Sequence, residues 1–132
     1  MENIQDRSLL YEQTADTVMP AGELIPSGLY EASLAEVHKY GSAWGDRIGF
    51  VFRITEGEYT GKLVTLSTAT NLSRMSKLGQ TLHGLLARVL TDDEIRSGFD
   101  PQCLEGTECQ ILVDERTTRS GTPYATVDRI LR

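Results

Sequence analysis

At 132 residues the chain has room for one ordinary domain and not for two. Its composition, 39% apolar, supplies a core, and no apolar run approaches the ~18 residues that a membrane span needs. The net charge of −6 argues against a strongly electrostatic nucleic-acid binder, but it is unevenly spread: residues 1–25 carry −4, leaving −2 for the rest.

That first segment sets Glu2, Asp6, Glu12, Asp16 and Glu23 against Arg7 alone. Apart from a short helical stretch around Leu9–Gln13 it has no sustained period. It ends in "MPAGELIPSG", where Pro20, Gly22 and Pro26 prevent regular structure. An acidic, partly flexible arm over residues 1–25 is expected, attached to a folded domain over residues 26–132. Its opening has no basic stretch followed by an apolar core, so a secretory signal is not expected and a cytoplasmic location is.

From Gly28 the pattern is that of strands. In "GLYEASLAEVHKY", Tyr30, Ala32 and Leu34 alternate with polar residues, the phase slips at Ala35, and it resumes at Val37. A slip of this kind predicts a β-bulge, which bends a strand and lets a sheet curl. "RIGFVFRI" puts Ile48, Phe50, Phe52 and Ile54 on one face and Arg47, Gly49, Val51 and Arg53 on the other. After the turn "EGEYTG", "KLVTLST" predicts a third strand with Val64 and Leu66 inward.

The period then changes. "SRMSKLGQTLHGLLARVL" places Met75, Leu78, Leu82, Leu85, Leu86 and Val89 at helical spacing, with Ser73 or Ser76 as N-cap. Gly79 and Gly84 each cost up to ~1 kcal/mol relative to alanine, so they mark either a close approach to the sheet or a fraying helix. "TDDEI" is a capping box, Thr91 with Glu94, opening a short helical turn that stops at Gly98. Two strands follow, "ECQILVDE" with Cys109, Ile111 and Val113 inward, and "YATVDRIL" with Ala125 and Val127 inward. A flexible loop, "RTTRSGTP", separates them.

Three strands, a helix and two strands, with a bulged first strand, describe a five-stranded Greek-key barrel, the OB-fold, with its helix between the third and fourth strands and plugging one end. The rival is an open α+β sheet with the helix laid across one face. The runs "IPSGLYEASLAEV", "GDRIGFVFRITEGEYTGKLVTLST", "LEGTECQILV" and "YATVDRIL" resemble small phage- and plasmid-encoded OB-fold proteins, among them single-stranded DNA-binding proteins and proteins of unknown function. The resemblance covers roughly residues 25–132, and "ITEGEYTGK" is its most distinctive piece. It implies the fold more strongly than the function, and it carries over no ligand-contacting residue. A phage-encoded chain would work in the cytoplasm of its host.

An OB barrel binds on its curved face, between the loop joining strands one and two and the loop joining four and five. On that scheme Lys39, Tyr40, Trp44 and Arg47 fall in the first loop and Arg116, Arg119 and Tyr124 in the second, with Arg53 on the face between them. Tyr59, in the turn after strand two, either extends this platform or packs on Lys62. Lys and Arg neutralise phosphates while aromatic rings stack bases at ~1–3 kcal/mol each, with little regard to sequence. Asp46, Asp114 and Glu115 dilute the patch. Taken singly these residues read as ordinary surface: Arg47 and Arg53 as solvated charges or as cross-strand partners of Glu58 or Asp114, Tyr40 and Tyr124 folded over the barrel ends, and a half-buried Trp44. Together, the chain's only tryptophan beside Tyr, Lys and Arg points to a ligand.

Other chemistry is thinly represented. Cys103 and Cys109 are expected to be two reduced thiols, and His38 and His83 to be surface residues too isolated for a metal site. Asp92, Asp93 and Glu94 suit the first turn of a helix. Arg74 and Lys77 are expected to face solvent. No nucleophile motif or phosphate-cradling glycine loop is present, so the chain reads as a non-enzyme with no cofactor. Single-stranded DNA is the expected partner, with RNA not distinguished. The unpaired edges of a small barrel leave room for a homo-oligomer, and a replication or recombination protein is a further expected partner. The competing readings are a protein–protein adaptor that uses the barrel as a scaffold, favoured by the −6 charge, and an oligosaccharide-binding module.

Overall fold

The structure, a computed structural model, describes residues 23–43 and 45–131. These residues are mostly β, with five strands in one sheet and one main helix among them. The strands are β1 (Gly28–Ser42), β2 (Gly45–Ile54), β3 (Leu63–Ala69), β4 (Glu108–Thr117) and β5 (Pro123–Leu131). Between β3 and β4 come α1 (Lys77–Leu86), a single-turn α2 (Asp92–Ser97) and a 3₁₀ turn at Pro101–Leu104. Among the described residues no helix is long and apolar enough to cross a membrane.

The sheet closes on itself in the order β1–β2–β3–β5–β4 and back to β1. All neighbours are antiparallel except β3 and β5, which run parallel and meet through Thr65 and Thr126. The Thr126 hydroxyl reinforces that contact by donating to the Thr65 carbonyl at 3.1 Å. This seam has far fewer bonds than the β1–β2 ladder, which extends from Ala32 with Ile54 to Ser42 with Gly45.

The alternating faces follow the sequence. Ala32, Leu34 and Val37 of β1, and Ile48, Phe50, Phe52 and Ile54 of β2, are buried with Val64, Leu66, Cys109, Ile111, Val113, Ala125 and Val127. The register shifts between Leu34 and Glu36, so the expected bulge sits at Ala35. A second shift, where Leu112 pairs with Arg129 and Val113 with Val127, leaves Asp128 as an extra residue on β5. Because of that bulge Ile130 returns to the core at 7% exposure while Arg129 stays outside. Val51, expected on the open outer face, is instead fully buried there, between Glu36 and Thr65 on the flanking strands.

The helix is shorter than its apolar period. Ser76 is the N-cap, its hydroxyl accepting from the Gly79 N–H at 2.9 Å, and Ala87 ends the helix with φ 60°. Leu78, Leu82 and Leu85 enter the core, but Met75 and Val89 lie beyond the helix ends, 81% and 58% exposed. Gly84 is a close approach to the sheet, since a Cβ there would lie 2.7 Å from the Ile130 carbonyl oxygen. Gly79 is close to its own cap, 1.8 Å from the Ser73 carbonyl oxygen by the same measure. His38 and His83, expected at the surface, are partly buried.

Residues 1–22 of the expected arm lie outside the described residues. Its last three residues join the fold: Ile25 is in the core, and Glu23 exchanges backbone and side-chain hydrogen bonds with Leu63.

The capping box of α2 is present as expected, with Thr91 and Glu94 each accepting from the other's backbone N–H. Arg88 adds a bidentate pair to Glu94, 2.8 Å to each carboxylate oxygen. This guanidinium, then the Thr91 N–H, lowers the Glu94 carboxyl from its ordinary 4.5 to about 2. A depressed folded value means that the contribution is full above pH ~4.5 and is lost as pH falls towards 2. Glu94→Gln is therefore expected to lower Tm above pH ~4.5 and to converge with the wild type near pH 2, as thermal melts across that range would show.

Candidate functional site

The residues expected in a first loop are on strands. β1 and β2 run on until Ser42 pairs with Gly45, so Lys39 and Tyr40 belong to β1 and Arg47 to β2, with Tyr40 directly opposite Arg47. Gly41 continues the strand, and only Gly45, at φ +108°, takes a turn conformation that other residues resist. Trp44 lies outside the described residues.

Tyr40 and Arg47 meet on β3. The Tyr40 hydroxyl and the Ser67 hydroxyl are 2.6 Å apart, and Arg47 Nε donates to the same Ser67 oxygen at 3.1 Å. One hydroxyl on β3 thus holds an aromatic from β1 and a guanidinium from β2, fixing both side chains against the outer face of the sheet.

On one side of this cluster is a cleft of about 540 Å³, in which Lys39, Tyr40 and Arg47 face Leu72, Phe99 and Pro101 from the β3–β4 connection. The connection is tied down at the first bulge, where the Val37 N–H donates to Glu105 Oε2 at 2.9 Å. Asp46 also lines this cleft, so its charge is mixed. On the other side Arg47 shares a cleft of about 340 Å³ with Ser67, Lys77, Arg116, Tyr124 and Thr126. This brings Tyr124 and Arg116, from the far end of the chain, beside Arg47.

Electrostatically these cations differ. Arg116 is held by Asp114 at 3.2 Å and by Asp128 at 3.1 Å. Lys62, Arg74, Arg88 and Arg96 are likewise paired, with Glu23, Asp92, Glu94 and Asp93. Among the described residues, Lys39, Arg47 and Lys77 have no carboxylate in salt-bridge range. Lys77 is exposed at the helix start, as the sequence predicts, and lines the second cleft beside Arg47.

Three expected site residues stand apart. Arg53 is exposed on β2, six residues from Arg47 and so about 20 Å away at the ~3.4 Å rise of a strand. Tyr59 is partly buried and makes an edge-to-face contact with Tyr30, ring centroids 6.0 Å apart, so it packs on Tyr30 and lines neither cleft. Arg119 is exposed in the β4–β5 loop and lines neither cleft. Phe99, a half-buried aromatic in the first cleft, is legible in the sequence only as the residue after the glycine that stops α2. No protein-family model matches the sequence, and a search of curated proteins finds no match.

Proposed function

We propose that the chain is a non-enzymatic single-stranded DNA-binding protein, that its closed five-stranded sheet is an OB-fold barrel, and that it coats or protects DNA in the replication or recombination of a phage or other mobile element. One observation carries this reading: Lys39, Arg47 and Lys77, which have no carboxylate in salt-bridge range among the described residues, line two adjoining clefts beside Tyr40 and Tyr124. Cations left unneutralised beside aromatic faces suit a polyanion whose bases stack. Ser67 pre-orients two of these groups, which reduces the ordering cost on binding.

Titration of the full chain with oligo-dT at low salt, followed by the emission of its single tryptophan, is expected to give a saturable change that reverses as salt is added. A flat titration with the fold intact by circular dichroism excludes the reading. The adaptor reading then takes over, favoured by the −6 charge and by the exposure of Met75 and Val89 at the two ends of α1.

A further inference from the structure

The clefts do not end at Tyr124. A third, of about 270 Å³, opens where β3 and β5 separate beyond their single contact, and it is lined by Leu66, Lys77, Gln80, Thr81, Asp128 and Arg129. Arg47 lines the first and second clefts, and Lys77 lines the second and third. The three clefts thus follow one another in a row, each sharing a cation with the next, and the second and third border the β3–β5 seam and the start of α1.

Two features of the backbone put cations into it. Lys77 is the first residue of α1, directly after the Ser76 cap. The bulge at Asp128 lets both Asp128 and Arg129 stand on the outer side of β5, although a regular strand would turn one of them inward. Asp128 is engaged by Arg116 at 3.1 Å. Arg129, like Arg47 and Lys77, has no carboxylate in salt-bridge range among the described residues. Cations spaced along a groove match a ligand with repeating negative charge, whereas a single small anion would satisfy one of them.

Resting on the nucleic-acid reading above, we propose that a single DNA strand leaves the hairpin cleft along the β3–β5 seam, with its phosphates meeting Arg47, Lys77 and Arg129 in turn. The far half of the interface is then the start of α1 and the bulge of β5. The β4–β5 loop with Arg119, and Arg53 at the distant end of β2, are not part of the path.

The test compares two double charge reversals in the full chain, Lys77→Glu with Arg129→Glu and Arg53→Glu with Arg119→Glu, by the anisotropy of labelled oligo-dT across a salt series. All four side chains are on exposed residues, and thermal melts check that each variant folds. The milder pair Lys77→Gln with Arg129→Gln repeats the test without added negative charge. The seam pair is expected to lose at least about 10-fold in affinity and to flatten the salt dependence by about 1.4, the share of two phosphates on a single strand. The other pair is expected to stay within about twofold of the wild type. Wild-type binding that survives both seam variants with an unchanged salt slope overturns the path and leaves the nucleic-acid reading standing. The path is equally overturned if the Arg53 and Arg119 pair takes the larger loss. Absence of any wild-type binding overturns both.

Discussion

Gly84→Ala is expected to cost about 3 kcal/mol of folding stability, against the sign of helix propensity, which favours alanine by ~1 kcal/mol. The added methyl carbon would lie 2.7 Å from the Ile130 carbonyl oxygen and 2.9 Å from its Cβ, both closer than carbon tolerates. Relief requires α1 to lift from β5 or β5 to move outward. Both movements are resisted, because Leu82 and Leu85 on α1 are fully buried and Ile130 is paired with Ile111 on β4. The overlap is nominally larger at Gly79, 1.8 Å from the Ser73 carbonyl oxygen. Ser73 is tied by hydrogen bonds to the Ser76 cap, so a methyl at Gly79 would act on the cap of α1 and not on its seat against β5. Urea denaturation checks the expectation, which requires a lower midpoint with an unchanged slope. A midpoint equal to or above the wild type would mean that the helix is not seated on β5 as described.

Arg47→Ala is expected to give the largest loss of oligo-dT affinity of any single change, at least about 10-fold, with the salt slope reduced by about 0.7. Two facts single it out. Arg47 lines both the hairpin cleft and the seam cleft, so a strand following either must pass it. It is also half-buried and oriented by Ser67, so its charge is already in position. Arg47→Lys is expected to keep the slope while losing part of the affinity, since an ammonium retains the charge but not the planar fork. Anisotropy across a salt series separates these effects. An alanine variant with wild-type affinity and slope would remove Arg47 from the interface.

Much of this architecture is legible in residue order alone. Ile48, Phe50, Phe52 and Ile54 alternate without interruption, and the phase slip at Ala35 becomes a bulge in the structure. The second bulge is hidden, because the two polar residues between Val127 and Ile130 read equally well as the fraying end of a strand. Met75 and Val89 satisfy the helical period yet fall outside α1, since Ser76 caps it and Ala87 ends it; periodicity measures spacing, not termination. Of the site, Lys39, Tyr40 and Arg47 are recoverable as a local cluster, but they read as a loop because Gly41 and Gly45 look alike in sequence and differ only in φ. Lys77 and Arg129 are out of reach. They become neighbours through the packing of α1 on β5, which leaves no trace in local pattern. The Tyr59–Tyr30 contact is equally hidden, since it depends on β1 pairing with β2, which sets the turn after β2 beside the start of β1.

The ring of strands is fastened unevenly, like a bracelet with one clasp, and the clasp is the meeting of Thr65 and Thr126. The groove lies along it, with Arg47 and Ser67 on one side and Tyr124 and Arg129 on the other. Whatever binds across those residues holds the ring shut, and the ring, when shut, holds the binding groups in place. The two effects are reciprocal by linkage: the factor by which closing the ring raises ligand affinity is the factor by which the ligand favours the closed ring.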